Sequence, residues 1–467
     1  MFKRLMFLIL CLAMLVGMGL ATTAAIAGDG MYGEMRYRWE GLKNFDDWSS
    51  DNDDNFGFAH VRSRLGYSTE IGERGLFNMS VQNTRVLGFG GSGYFPTKSG
   101  EWMFNGNTVS LNEGYLGISD FLFDGFDAYV GRFAAAYGRE RVIGAEEWAF
   151  DGEKRLDGFK GHYVFEKGWF DLLCLKLNET FMDKYDQDPG DLDLRGIYAH
   201  YDLAEGMYIE PYVLMMSMDN FQDYDQDDNL VDVANDNYFT FGALFDYMSD
   251  SGLHFYAEGL MVSGTEHDSY GTDWEWDTST LGFYTGLFYE FESTLKPFIG
   301  AEFNYASGSK NADDDANKDK TFFSPFGSDS SYMGIMDMVD WANTATIRLS
   351  GGLTPVEGTD VKLDFYMFKL ANDEDSAYGY NFENFGDPGY GSGYWDYYPN
   401  SLWGESVDGV YTSKSVGTEI DFFVNHKIED GVSLEGGAAM FSFGDYFGAD
   451  NEYDSLLYGW LGAKVEF

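Results

Sequence analysis

The sequence predicts an all-β protein, a single membrane-spanning antiparallel up-and-down β-barrel of about 18 strands with short periplasmic turns and long extracellular loops. Three observations lead there. Apolar and polar residues alternate with period two along most of the chain. The links between the alternating segments are by turns short and long. Beyond the N-terminal segment, no apolar run reaches the roughly 18 residues that a membrane-crossing helix needs.

The N-terminus comes first in the argument. Lys3 and Arg4 precede an apolar run from Leu5 to about Leu20, and Ala25-Ile26-Ala27 has the small-x-small pattern of a secretory cleavage site. Residues 1–27 are therefore expected to be a cleaved signal peptide and 28–467 one barrel domain, with no second domain or linker in view. Cys11 follows the bulky Leu10 inside the apolar run, which does not suit a lipid-attachment site. After cleavage only Cys174 is left, so an internal disulfide is excluded.

The first strand is read from "MYGEMRYRWE", where Met31, Gly33, Met35, Tyr37 and Trp39 share one face and Tyr32, Glu34, Arg36, Arg38 and Glu40 the other. The same alternation recurs at 56–69, 75–86, 108–119, 126–133, 157–165, 169–179, 194–203 and 207–217. It continues at 237–248, 253–262, 280–292, 296–306, 344–354, 359–369, 416–425, 432–441 and 457–467, which brings the strands to eighteen. The links "EIGERG" (70–75), "EKG" (166–168), "LAEG" (203–206), "PVEG" (355–358) and "KIEDG" (427–431) are short, while 307–343 and 370–415 are the longest of the acidic or aromatic segments between them. Such asymmetry fits a barrel whose two rims face different compartments, and an even strand number closes the sheet without an edge that lipid would not tolerate. The last segment alternates to a terminal Phe467, resembling the signal read by the barrel assembly machinery of the bacterial outer membrane.

Charge narrows the function. There are 78 acidic and 30 basic side chains, and removing Lys3 and Arg4 takes the net charge from −48 to −50, a balance that repels nucleic acid. On a spanning strand, a cation facing lipid at mid-bilayer costs about 2–4 kcal/mol, so Arg36 and Arg38 are expected to face the lumen. The same parity sends Arg62, Arg64, Lys160, Lys176 and Arg348 inward, with His60, His162, Glu258, Glu290, Glu302, Asp364, Glu419 and Asp421. It sends Arg85 and Arg132 outward, so a bulge or strand end is expected near each, with Arg132 at the loop rim and counted among the pore residues there. The loop-borne Arg139 and Arg141 complete the candidate pore set. Eleven of the twelve arginines of the mature chain lie at or before Arg195, while the inward acids cluster in later strands. One wall should then be basic and the opposite one acidic, giving a transverse field. The competing reading is that inward arginines only pair with inward acids to fill the barrel.

Several blocks are similar to the alginate export family of outer-membrane porins. "RSRLGY" (62–67), "VQNTRVLG" (81–88) and "LNEGYLGI" (111–118) resemble its first strands, and "VGRFAAAYGRERVIGAEEW" (130–148) resembles its most distinctive block. "FNYASGSKN", "YMGIMDMVDWANTATIRL" and "VGTEIDFFVNHK" fit as well. The chain departs from the family at Phe133, in the spacing of "EKRLDGFK" and at "FFSPFG". What the resemblance implies is an eighteen-stranded barrel in the outer membrane that passes an anionic polysaccharide through an arginine-lined constriction.

Other constellations say less. Asp223, Asp225 and Asp227 alternate as in a calcium loop, but Asp228 stands at the sharp-turn position that wants Gly and Ala234 where the bidentate Glu would be. A solvated acidic rim sharing divalent cations with lipopolysaccharide phosphates is the expectation there. The six histidines form no catalytic spacing and no motif calls for a cofactor or resident metal, so an enzyme is not expected. The aromatic, Gly-rich segment 370–415 is expected to fold over or into the pore. The function read from the sequence is an outer-membrane channel for anionic or zwitterionic small solutes or saccharides; the alternative is a barrel that only displays its loops for binding or adhesion.

Overall fold

In a computed structural model, described residues run from 30 to 467, except 45–54, 88–92, 97–101, 106–108, 146–154, 179–191, 219–221, 225–229, 233–235, 268–274, 310–319, 323, 325–326, 328–331, 380–400, 403–405, 408–409 and 449–452. The eighteen expected strands are all present: β1 (Met31–Lys43), β2 (Phe56–Ile71), β3 (Gly75–Val86), β4 (Ser110–Ile118), β5 (Phe126–Ala134), β6 (Arg155–Phe165), β7 (Gly168–Asn178), β8 (Leu192–Ala204) and β9 (Met207–Met218). They continue as β10 (Asp236–Met248), β11 (Leu253–His267), β12 (Glu275–Glu290), β13 (Phe298–Ala306), β14 (Thr344–Val356), β15 (Thr359–Leu370), β16 (Ser415–Glu429), β17 (Val432–Phe443) and β18 (Leu456–Glu466). Each pairs antiparallel with the next, and β18 returns to β1 with Arg36 opposite Lys464, so every ladder is closed. A closed ladder satisfies the backbone of every strand without water, the condition a membrane imposes on a sheet.

Polarity is inverted relative to a water-soluble core. On β1 and β2, Met35, Trp39, Leu65 and Tyr67 are exposed outward, while Arg36, Arg38, His60 and Arg62 are buried inside. Alternation alone produces this, because side chains two apart share a face and only the inner face can hold charge.

The inner wall has a second character that the sequence reading missed. Leu156, Leu173, Leu175, Leu194, Leu214 and Met216 on β6–β9 are buried and face inward. Lys176 therefore points outward, contrary to the parity assigned to it, because a binary pattern cannot tell an apolar stripe facing lipid from one facing an internal plug. Arg85 and Arg132 do point outward; both stand near the extracellular end of their strand, and the register runs unbroken through them, so strand ends rather than bulges place them. Arg132 pairs at 2.5 Å with the exposed Asp157, and as a pore residue it is corrected: it belongs to the outer face.

What the apolar inner stripe packs against is loop. In the β5–β6 connection Ala135, Val142, Ile143 and Ala145 are buried, as are Tyr332, Met333, Met338, Val339 and Trp341 before β14, and all but Ala145 fall in one apolar cluster with the inner wall. Of the 370–415 segment, the described residues 371–379 join this assembly. Asp375 accepts hydrogen bonds from the Ser309 amide (2.8 Å), Thr321 (2.7 Å) and Tyr378 (2.7 Å). Burial pushes its carboxyl up from the usual range against the pull of those donors. The aromatic stretch of that segment lies outside the described residues, as does most of the acidic 219–236 loop.

An arginine in place of Leu349, which is 47% exposed on the outer face of β14, should lower stability in vesicles by about 2–4 kcal/mol. Urea unfolding followed by gel mobility checks this; an inward-facing position would show no such loss.

Candidate pore constriction

Four of the predicted arginines meet on one wall. In the β1–β2 register Arg36 lies opposite Arg62, Arg64 opposite Glu34 and Arg38 opposite His60. Arg62 bridges Glu34 at 2.9 Å, Arg38 lies 3.4 Å from Glu435 and 3.6 Å from Glu40, and Arg64 donates to Gln82 at 2.6 Å. His60 and Glu40 are in contact at 2.7 Å. Acids from the same strands and from β17 are thus interleaved with the arginines. This wall is basic but not purely so.

The acidic wall is capped by tyrosine. Glu258 on β11 accepts from Tyr212 and Tyr284, each at 2.5 Å. Glu210 accepts from Tyr198 at 2.7 Å and contacts His200 at 2.8 Å, and Glu302 on β13 accepts from Tyr256. Each phenol comes from an inward position one or two strands away, at a site where parity alone would have placed it. The sequence reading named Glu258 and Glu302 on this wall but neither Glu210 nor the tyrosine donors.

The expected division into a basic and an acidic wall is further blurred by the β5–β6 loop, which carries two arginines across the lumen. Arg141 lies 2.6 Å from Glu302 and donates to Asn304 at 2.5 Å; both charged side chains of that pair are 1% exposed. Its guanidinium stacks 3.9 Å over the rings of Tyr284 and Tyr332, a geometry that suits a planar cation removed from water. The Arg141 carbonyl accepts from Ser324, so this loop is tied to the one that precedes β14. Arg139 sits 3.6 Å over the Tyr256 ring and 4.0 Å from Asp246. Arg348 approaches Glu302 at 3.7 Å, and Lys160 lies 5.0 Å from the Tyr129 ring centre.

The second loop docks by its backbone. The amides of Met336 and Ile335 donate to Glu419 (2.9 Å) and Asp421 (3.1 Å) on β16. Gly334 makes the approach possible: its φ is +101°, and a Cβ there would fall 2.6 Å from the Glu419 carboxyl. Asp364, opposite Asp421 on β15, is paired with Lys362 at 2.9 Å. The predicted residues therefore form three groups: Arg36, Arg38, Arg62 and Arg64; Arg139, Arg141, Arg348, Glu258 and Glu302; and Asp364 with Glu419. Lys160 stands apart from them inside, and Arg132 outside.

The alginate export family model matches residues 34–455, which is most of the chain. The chain belongs to the alginate export family. Solved structures share its fold at low identity: Pseudomonas aeruginosa OccK11 (OpdR) has a TM-score of 0.55 at 9% identity, over 94% of this chain and 95% of that one. P. aeruginosa OprD gives 0.54 at 10%, over 94% and 92%, and Acinetobacter baumannii OccAB4 gives 0.52 at 10%, over 94% and 98%. No curated protein matches. Family and fold together make this alginate export family member an outer-membrane channel-type barrel and not an enzyme.

Replacing Arg141 with Met leaves the buried Glu302 with its neutral donors Tyr256 and Asn304 and, for counter-charge, the more distant Arg348. The 135–145 loop should lose about 3–5 kcal/mol of docking stability and exchange its amides faster. Adding Glu302→Gln should restore part of that loss, which hydrogen exchange on the single and double variants measures. Gly334→Ala should release residues 333–338 without changing any charge, seen as new protease cleavage there while β-sheet circular dichroism is unchanged.

Proposed function

We propose that this protein is a gated outer-membrane channel for anionic or zwitterionic solutes, small ones or oligo- and polysaccharides, whose path runs along the arginine wall of β1 and β2. The observation that carries the reading is the contrast between the two sides of the lumen. On the β9–β16 side the inward acids are held by tyrosines and by docked loop; on the β1–β2 side Arg36, Arg38, Arg62 and Arg64 stand together on adjacent strands and outnumber the acids Glu34, Glu40 and Glu435 set between them. Clustered guanidinium groups suit carboxylate and phosphate groups, which they can hold in paired hydrogen bonds. The proposed partners are the transported anion, the surrounding lipid and lipopolysaccharide, and the assembly machinery that reads the C-terminal strand ending in Phe467.

A second reading has an observation of its own. Trp341, Met333 and Phe322 are fully buried among wall residues, which is what a closed barrel displaying its loops would also need. Planar-bilayer recording separates the two, since a display barrel conducts nothing.

Replacing Arg36, Arg38, Arg62 and Arg64 together with Gln should leave a folded barrel whose reversal potential in a salt gradient moves toward cation selectivity. The shift should be greatest at low salt, where the Debye length approaches ~30 Å. Unchanged selectivity across the salt series would put the path elsewhere, with Arg139 and Arg141 next in line.

A further inference from the structure

At mid-height the described outer face is mostly apolar, and the largest group of charges on it lies in one sector. Counting up from the periplasmic end of each strand, positions eight to ten present Phe241 on β10, Leu281 on β12, Ile347 on β14 and Ile420 on β16, all exposed and outward. At that height β6, β7 and β8 present Asp157, Lys176 and Arg195 instead, flanked by Arg132 on β5 and Asp193 on β8. These five form one row across four strands. Arg132 lies opposite Asp157, Asp157 opposite Lys176 and Lys176 opposite Asp193 in the register. Arg132 and Asp157 are 2.5 Å apart, Lys176 and Asp193 3.0 Å, and Arg195 and Asp193 2.7 Å.

Two further facts define what can face this row. The wall is low beside the row, because β4 and β5 have 9 residues each. A short apolar belt draws the headgroup layer down to it. The row also carries three cations against two carboxylates, in a chain whose net charge is −48. The acids hold the cations in place and leave outward-facing donors, since the Arg132 and Arg195 side chains keep 35% and 54% of their exposure. A guanidinium has five N–H groups and binds phosphate in paired fashion.

We propose that Arg132, Lys176 and Arg195 form a docking site on the outer face for a phosphate-bearing headgroup of the outer-leaflet glycolipid. The site rests on the outer-membrane placement of the barrel and is independent of what passes through the lumen. A second copy of the chain is the less suitable occupant, since two strongly negative barrels repel one another and like cations would meet across a self-facing row.

The test uses the full barrel taken from vesicles that contain either the phosphorylated glycolipid or its dephosphorylated form, with retained lipid counted by native mass spectrometry. Wild-type barrel should retain the phosphorylated lipid about tenfold more than the dephosphorylated one. The Arg132→Gln, Lys176→Gln, Arg195→Gln triple variant should lose that preference. If the triple variant fails to assemble, Arg195→Gln alone, the most exposed change, should lower retention about threefold. Equal retention by wild type and variant overturns the proposal, and so does displacement of the lipid by millimolar inorganic phosphate, which would mean a free-anion site. A dimer that forms with increasing protein and is lost in the variant would also overturn it in favour of a second copy. Conductance recorded on the same samples reports separately on the channel reading, because none of the three side chains faces the lumen.

Discussion

Lipid on one side and water on the other leave a spanning strand only one face on which to put charge. Everything distinctive about this barrel follows from that constraint. The outer belt is filled with Leu, Ile, Val and aromatic side chains, so the acids and bases of the spanning strands are concentrated into the interior, where they have to be matched with one another or with hydrogen-bond donors. Around β9–β13 the match is made by tyrosines one or two strands away; on β1 and β2 it is made by acids set between arginines.

The internal loops extend the same logic. A loop that enters a charged lumen must bring counter-charge or backbone donors with it. The β5–β6 loop brings Arg141 to Glu302, and the loop before β14 brings two amides to Glu419 and Asp421. Once seated, these loops need an apolar surface to pack on, and the inward leucines of β6–β9 supply it. The cost of taking Arg141 and Glu302 out of water is offset only while both stay paired, so the pair makes the seated arrangement all-or-none in character.

The polarity of the inner wall also explains where the outer face departs from the rule. Where the inside of β6–β8 is apolar, the alternate positions pass to the outside, and near the extracellular rim they are charged: Asp157, Lys176, Asp193 and Arg195. An apolar plug seat inside and a charged row outside are two consequences of a single phase of the alternation on these strands.

The sequence by itself determined the closed eighteen-stranded barrel, because a period of two, an even number of strands and alternating link lengths are local properties that survive without knowledge of neighbours. It also determined the inward direction of Arg36, Arg38, Arg62 and Arg64, since lipid forbids the other face. Tertiary structure alone decided which loop enters the lumen. The aromatic stretch of 370–415 lies outside the described residues; the side chains seen to reach the opposite wall come from 135–145 and 332–343, and no local pattern records that Arg141 meets a glutamate 161 residues later. It likewise decided the direction of Lys176, because an apolar stripe reads the same whether it is buried against lipid or against protein, and only the packed loops tell the two apart.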